Sequence, residues 1–439
     1  MSDPYRPFNL IPLELLHPIF QNLRRWDIAS VALTCRSFND AAKLLLWDDC
    51  DLTLFAGPPR PKPENIYYEF DRRRRDILHE KLNIISSKPM GDFIRSLTLR
   101  FDSEEKGIQA VGDRDGSDNR EEKQNLKMAR KFVDNAAYRP SVLRSLYVDM
   151  SFIFNIPLFA KTLQSLHLEL EDYSCYVCGV RGLVPLPTFP NLKKLRITWT
   201  RFDTSDEKLN RYYPPLLTLV CQYLRRTPKL ESFHLMVDRT DPLIQTYPVN
   251  SIAPMFPEDV EVVADSLFLP NLRRLDFALP QGLLTSTFVW TMIESGKKRV
   301  LLVEDLFKQF ALRHTDIVER FLWLAMEENL PVSAKNPPRR SIPMLNAAVH
   351  MTIDRPCEAN GLKNLRDLQN SHTEKLKSLQ LYGLVFEVNE ISWFMRNIWQ
   401  FENLQRLQLH DWWINDDVTS AMLGVPIQGD ILLGSCSLV

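Results

Sequence analysis

The residues of this chain that could do chemistry are few, and their spacing does not assemble a reaction centre. Cys175-Tyr-Val-Cys178 has the separation at which two thiols hold zinc or exchange a disulfide, but a tetrahedral site needs a second pair of ligands and none stands at the usual distance along the chain. Cys436-Ser-Leu-Val has the outline of a prenylation box, yet Ser and Val fit it poorly and no basic run precedes it. The eight histidines are scattered. The sequence contains no Gly-x-x-x-x-Gly-Lys-Ser/Thr phosphate loop, no Gly-x-Gly-x-x-Gly, no His-Glu-x-x-His and no Gly-x-Ser-x-Gly. Only 14 of 439 residues are glycine, so loops that let the backbone approach a phosphate closely are scarce. The expectation is a non-enzymatic protein without cofactor or metal.

Composition narrows the partners. Against 54 Lys+Arg stand 55 Asp+Glu, a net charge of −1, which gives no general attraction for nucleic acid or anionic membrane. No run approaches the ~18 apolar residues that span a bilayer. The start, Met-Ser-Asp-Pro-Tyr-Arg-Pro, lacks the basic-then-apolar order of a signal peptide. Seven sparse cysteines and no Asn-x-Ser/Thr sequence fit a reducing compartment, so the expected location is cytoplasmic, nuclear or both. A hydrophobic content of 45% suits a folded chain, and 439 residues suit two or three domains. Protein contacts are the chemistry that remains.

Residues 10–47 carry the first positioning elements. Pro12 suits a helix start, and Leu15, Leu16, Ile19, Phe20 and Leu23 recur at helical spacing behind it. Asp27 is a candidate N-cap for a second helix carrying Ile28, Val31 and Leu33. A third helix is expected after Ser37, with Phe38, Ala41, Ala42, Leu45 and Leu46 inward and Trp47 closing it. Pro18 removes a backbone hydrogen bond from helix one and predicts a kink. Cys35 has no neighbouring base and reads as a small buried hydrophobe. Three short helices bury little apolar surface and call for something to pack against.

The order of these residues resembles an F-box: Pro12, Glu14, Leu15, Leu16, then Ile19, Phe20 and Leu23, the pair Asp27-Ile28, Cys35-Arg36-x-Phe38, and the closing Leu46-Trp47. Ile11, where that family has Leu before the proline, and Pro18 depart from the pattern. The resemblance implies docking on a Skp-family adaptor, and through it on cullin and RING subunits, with Pro12, Leu15, Leu16, Ile19, Phe20, Leu23 and Trp47 as the contact residues.

Residues 51–90 are expected to form a Pro-rich linker and a helix: GPPRPKP at 57–63 excludes regular structure, and an amphipathic stretch at 64–86 contains Arg72–Arg75. That tetra-arginine is a solvated helix face or a nuclear-import patch. The polar segment 102–124 reads as a flexible loop within a domain covering 91–439. From residue 94 a unit with apolar residues at positions 1, 4 and 6 returns eight times, beginning at Ile94, Leu143, Leu163, Leu192, Leu230, Leu272, Leu376 and Leu404. Shared lead-ins, such as FPNLKKL at 189–195 and LPNLRRL at 269–275, mark these as internal repeats.

Helices are expected between units, at 214–225 and 315–329, and strands at 300–306 and 349–353 inside the 104-residue gap between Leu272 and Leu376. Strand–loop–helix units of this kind resemble leucine-rich repeats, less regular than the family's roughly 20–29 residues, so the fold class expected is α/β: a three-helix F-box, then an irregular solenoid of parallel strands with helices outside.

Side chains alternate along a strand, so positions 3, 5 and 7 face away from the core. This face offers Tyr147, His167, Arg196, His234, Asp276, Tyr382, Gln408 and His410 as candidates for holding a protein substrate. Trp412 and Trp413 read as capping residues or contact anchors. Arg100, Lys194, Arg196, Arg274 and Arg406 stand among Asp149, Glu169 and Asp276, a mixed rather than a phosphate-reading surface.

An F-box joined to such repeats resembles the substrate receptors of SCF ubiquitin ligases, particularly those of fungi. Such a receptor has no catalysis of its own; it concentrates a substrate near the charged conjugating enzyme. The other readings of the same sequence are a scaffold acting outside proteolysis and a receptor completed by a small molecule.

Overall fold

The computed structural model describes residues 11–46, 48–55, 94–102, 143–149, 156, 159–171, 186–200, 213–238, 254, 256–284, 286–292, 295–326, 343, 345–354, 375–382, 403–410, 413–414, 430–434 and 437–438. Trp47, the 57–63 and 64–86 segments with Arg72–Arg75, the 102–124 segment beyond Asp102, Cys175, Cys178, Trp412 and Cys436 lie outside them. The fold is α/β: three N-terminal helices, then strands that are mostly parallel with helices between them. The chain divides into two compact units, Met1–Leu168 and Glu169–Val439.

The first unit opens with α1 (Leu13–Gln21), α2 (Arg25–Ala32) and α3 (Arg36–Leu46). Pro12 is the residue just before α1, and its carbonyl accepts from the N–H groups of Leu15 and Leu16. Pro18 lies inside α1, which runs on past it to Gln21. Arg24 rather than Asp27 precedes α2; Asp27 sits in the first turn, where its charge meets the positive end of the helix dipole. Leu16, Phe20, Ile28, Ala41 and Ala42 form the centre of this module, with Phe38 edge-on to Phe20 at 5.5 Å. The Ala41–Ala42 pair is the reason α3 can come close: two methyl groups leave room for the Phe20 ring. The Arg25 guanidinium donates to the carbonyls of Leu46 (2.8 Å) and Asp49 (2.9 Å), tying the end of α3 to the first strand. That unit continues with β1 (Asp49–Phe55), β2 (Ser96–Asp102), β3 (Ser145–Asp149) and the start of β4 (Ser165–Glu171); β1, β2 and β3 pair in parallel.

In the second unit β5 (Lys194–Thr200), β6 (Ser232–Asp238), β7 (Arg274–Pro280), β10 (Arg320–Met326), β11 (His350–Asp354), β12 (Ser378–Tyr382), β13 (Arg406–His410) and β15 (Asp430–Gly434) follow one another as parallel neighbours. Two small sheets stand outside this ladder: an antiparallel hairpin of β8 (Thr287–Thr291) and β9 (Lys298–Leu302), and the pair β14 (Trp413–Ile414) with β16 (Ser437–Leu438). Gly296 supplies the hairpin's turn with a φ of +63°, a left-handed conformation that only glycine takes without cost.

Each of the eight repeats begins two residues ahead of a strand, so that position 3 is the first strand residue. Positions 1 and 4 are buried in all eight, and position 6 in the six units where it is described beyond the backbone. Most joints share one pattern as well. The position-2 carbonyl accepts two N–H groups, those of positions 2 and 3 in the next unit: Arg95 from Arg144 and Ser145, Lys193 from Glu231 and Ser232, Glu319 from Val349 and His350, Lys377 from Gln405 and Arg406. These bonds are 2.8–3.0 Å long.

Two helical and strand expectations are corrected. The 315–329 segment is not a helix, because Arg320–Met326 is β10, hydrogen-bonded to β7 on one side and β11 on the other. Its apolar residues fit a helical period, but as a strand Val318, Phe321 and Trp323 take positions 1, 4 and 6 of a further unit and are all buried. The 300–306 segment is a strand only to Leu302, in the hairpin, and turns helical at Val303. The 349–353 strand corresponds to β11, where Ala348, Met351 and Ile353 repeat the pattern. The expected helix at 214–225 is α4 (Tyr213–Arg225), followed by α5 (Pro257–Asp265), a short α6 (Gln281–Leu284) and α7 (Val303–Arg313). From Leu217 to Leu224 every residue of α4 is buried. Arg225 and Arg226 donate to the same oxygen of Asp259 on α5, at 2.7 and 3.0 Å.

Candidate functional site

Two surfaces carry the residues singled out by sequence, and packing sorts them. On α1 the apolar positions split between two faces. Leu16 and Phe20 point into the three-helix centre and are 2% and 4% exposed. Leu15 and Ile19, one helical turn apart on the opposite side, are 57% and 53% exposed, and Leu23 just past the helix is 37% exposed. Pro12 and Pro18 are exposed too. Pro12, Leu15, Ile19 and Leu23 are therefore free to meet a partner, whereas Leu16 and Phe20 hold the helix in place. Sequence reasoning did not single out Trp26 or the outward placement of Leu33, 84% and 87% exposed; Leu33, expected on the second helix, is the residue that caps its end. Cys35 is half-buried rather than buried. Pro12, Leu15, Ile19, Leu23, Trp26 and Leu33 thus leave several apolar side chains bare within 36 described residues.

The other surface is the outward side of the strands. Within each unit several position-5 neighbours touch. In the first unit Tyr147 stands edge-on to His167, ring centres 4.3 Å apart. In the second, His234 Nδ1 lies 3.2 Å from Asp276 Oδ2, and Arg274 Nε donates to the same oxygen at 2.6 Å. Farther along, Thr352 donates to Gln380 at 3.1 Å, and Gln380 donates to Gln408. Arg196 is exposed and bonds Thr198 at 3.3 Å. Asp276 does not offer a free carboxylate: it is 3% exposed and already shared by an arginine and a histidine. Tyr382 and His410 end β12 and β13 at position 7, partnered in register.

Position 3 gives a second row, of which the leucine triplets supplied five members. Lys194, Ser232, Arg274, Arg320, His350, Ser378 and Arg406 are consecutive register partners across the ladder. The five basic members are exposed. Arg320 and His350 belong to the two units not recognised among the triplets; the signal that would have found them is Val318-x-x-Phe321-x-Trp323 and Ala348-x-x-Met351-x-Ile353. The His350 pKa is lowered, by partial burial first and then by the charges of Arg320 and Lys377, with Glu319 opposing.

Buried ionisable groups elsewhere are structural. His314 is fully buried; its Nδ1–H donates to the Phe310 carbonyl at 2.7 Å while Nε2 accepts from the Leu269 N–H at 2.8 Å, a neutral tautomer whose pKa burial lowers. Burial pushes the Cys221 thiol far up, with Asp259 adding to the shift, so it is no nucleophile. Among the described residues no three His, Cys, Asp or Glu side chains converge as metal ligands, and no helix is long and apolar enough to cross a membrane.

Residues 8–53 match the family model described as F-box-like. That span contains all three helices, both faces of α1 and the start of β1. No curated protein sequence matches the chain significantly.

Proposed function

We propose that this protein is the substrate-recognition subunit of an SCF-type ubiquitin ligase, docking on a Skp-family adaptor through α1–α3 and holding a protein substrate on its strand repeats, which we take as leucine-rich repeats of the fungal type. F-box-like domains in general bind Skp adaptors, and the observation that carries the reading here is the bare stripe of Leu15 and Ile19, continued by Leu23 just past the helix end, on a helix whose other face is already packed. A groove that covers those side chains desolvates them at one stroke, the usual arrangement of an interface centre. The adaptor then links the receptor to cullin and RING subunits, and the receptor supplies local concentration rather than chemistry. The absence of catalytic motifs from the sequence agrees with a subunit that is not itself an enzyme.

Affinity purification with mass spectrometry tests this, comparing the intact chain with a Leu15→Asp/Ile19→Asp variant. Adaptor, cullin and RING peptides are expected to disappear together from the variant, while cargo held by the repeats stays. Equal recovery of adaptor from both overturns the docking assignment. Slower turnover of the retained cargo on deletion of the receptor is expected; unchanged turnover favours a scaffold acting outside proteolysis.

A further inference from the structure

We propose that the position-3 edge of the second unit's ladder, from Lys194 to Arg406, is a binding strip for an acidic segment of a partner protein, its charges carried by carboxylates or phosphates. The proposal rests on the reading of this strand face as the substrate-receiving surface and names the chemistry of what it receives.

Seven strands lie side by side; four of them begin with a cation, Lys194, Arg274, Arg320 and Arg406, and a fifth begins with His350, whose imidazole is held toward the neutral form by partial burial and by Arg320 and Lys377. Parallel neighbours are about 4.8 Å apart, so the row runs for about 29 Å, with Arg274, Arg320 and His350 consecutive in its middle. Among the described residues Lys194, Arg320 and Arg406 have no ion-pair partner, and Lys377 adjoins the row in the same state. Among the described residues the buried acid facing the row is Asp276, held by His234 and by Arg274, a row member that is thereby already paired. Glu319 sits beside the row but lies 3.9 Å from Arg273. Asp430, the register partner of Arg406, marks where the basic run stops. A chain of net charge −1 has thus concentrated unpaired cations on one edge of one face.

The neighbouring position-5 row argues for a peptide rather than nucleic acid. From β10 to β13 it presents Leu322, Thr352, Gln380 and Gln408: a hydroxyl and amides suited to backbone groups, and among these four no ring on which a base could stack. An extended chain crossing the strands places same-side residues about 6.8 Å apart, so an acidic run of about six or seven residues spans the roughly 19 Å Arg274–Arg406 stretch. Arginine's planar donors meet either carboxylate or phosphate.

The test uses the full-length protein and fluorescein-labelled twelve-residue peptides: one alternating Glu and Gly, a second with two phosphoserines replacing central Glu residues, and a third with Lys in place of Glu. Fluorescence anisotropy at about 50 mM salt is expected to show both acidic peptides bound and the Lys peptide ignored. Tighter binding of the phosphorylated peptide identifies phosphate as the preferred source of charge, and equal binding identifies carboxylate; either supports the strip.

The exposed-residue variant Arg320→Ala/Arg406→Ala is expected to bind about tenfold more weakly, and Lys193→Ala, off the row and paired with Glu231, to bind as the parent does. No binding of either acidic peptide, unchanged affinity in the double variant, or a single-stranded DNA oligonucleotide bound more tightly than both peptides overturns the proposal. Adaptor binding is measured on the same preparations. If it persists while the acidic peptides fail, only the strip is wrong; if it is also lost, the receptor reading falls with it.

Discussion

Truncating the outward stripe of α1 separates docking from folding. Leu15, Ile19 and Leu23 are 57%, 53% and 37% exposed, so a covering groove has about half of each side chain left to desolvate. Full burial of a Leu or Ile is worth about 1.5–3 kcal/mol, which makes each of the first two worth about 1 kcal/mol and Leu23 somewhat less. The triple variant Leu15→Ala/Ile19→Ala/Leu23→Ala therefore loses about 2.5 kcal/mol of adaptor affinity, between about 30- and 100-fold in Kd. Isothermal titration against a purified Skp-family adaptor reads this directly. The melting temperature is expected to stay within about 2 °C, because these side chains contribute little to the three-helix centre. Leu16→Ala does the converse. At 2% exposure it opens a cavity against Phe20, Ala41 and Ala42 and costs about 2–5 kcal/mol of folding. Adaptor affinity of the triple variant within threefold of the parent refutes the partition, and with it the claim that this stripe is what the partner covers.

Other outcomes follow from the interior. Trp323→Ala is expected to destabilise the second unit by about 3–5 kcal/mol in urea unfolding, because the ring is 4% exposed against Phe277 and Phe321; a change under about 1 kcal/mol contradicts the strand placement of 320–326. Asp259→Ala strands Arg226 and Arg225 at the α4–α5 contact and is expected to cost about 2 kcal/mol, less than a wholly sequestered pair because Arg225 retains solvent. His314 has its pKa lowered by folding, so the unfolded chain takes up a proton first as the pH drops below about 6.5. Stability is then lost toward the lower, folded value at up to about 1.4 kcal/mol per pH unit from this group; denaturant midpoints that do not move between pH 7.5 and 5.5 exclude it.

The eight leucine triplets were legible because apolar residues at 1, 4 and 6 have no simple helical or strand explanation, and each does start a strand. The units at Val318 and Ala348 were hidden by their side chains. VERFLW and AVHMTI contain one leucine between them, and the first lies in a stretch whose apolar period also fits a helix. What decides against that helix is the vacancy between β7 and β11, two strands that need a hydrogen-bonding neighbour, and this is not written within 315–329. The α1 region was recognised as a docking element but not divided, since Leu15, Leu16, Ile19 and Phe20 all lie on apolar positions of one helix. Only the approach of Ala41 and Ala42 determines which pair turns inward. Asp276 looked like a surface charge for the same reason: Arg274 lies two residues away on its own strand, but the contact with His234 comes from a strand 42 residues distant in sequence. The basic row emerged only when β10 and β11 took their places in it.

The forked carbonyl at each joint has a consequence for how such a chain can grow. It engages only the two residues that open the following strand, so it makes no demand on what lies between. Twenty-eight residues separate Lys377 from Gln405, and the same joint closes over the much longer excursion from Arg273 to Glu319, which carries an entire hairpin and two helices. Interstrand inserts can therefore lengthen, shorten or acquire new ornaments while the stitching stays the same, and whole modules excised between successive forks would leave no loose thread.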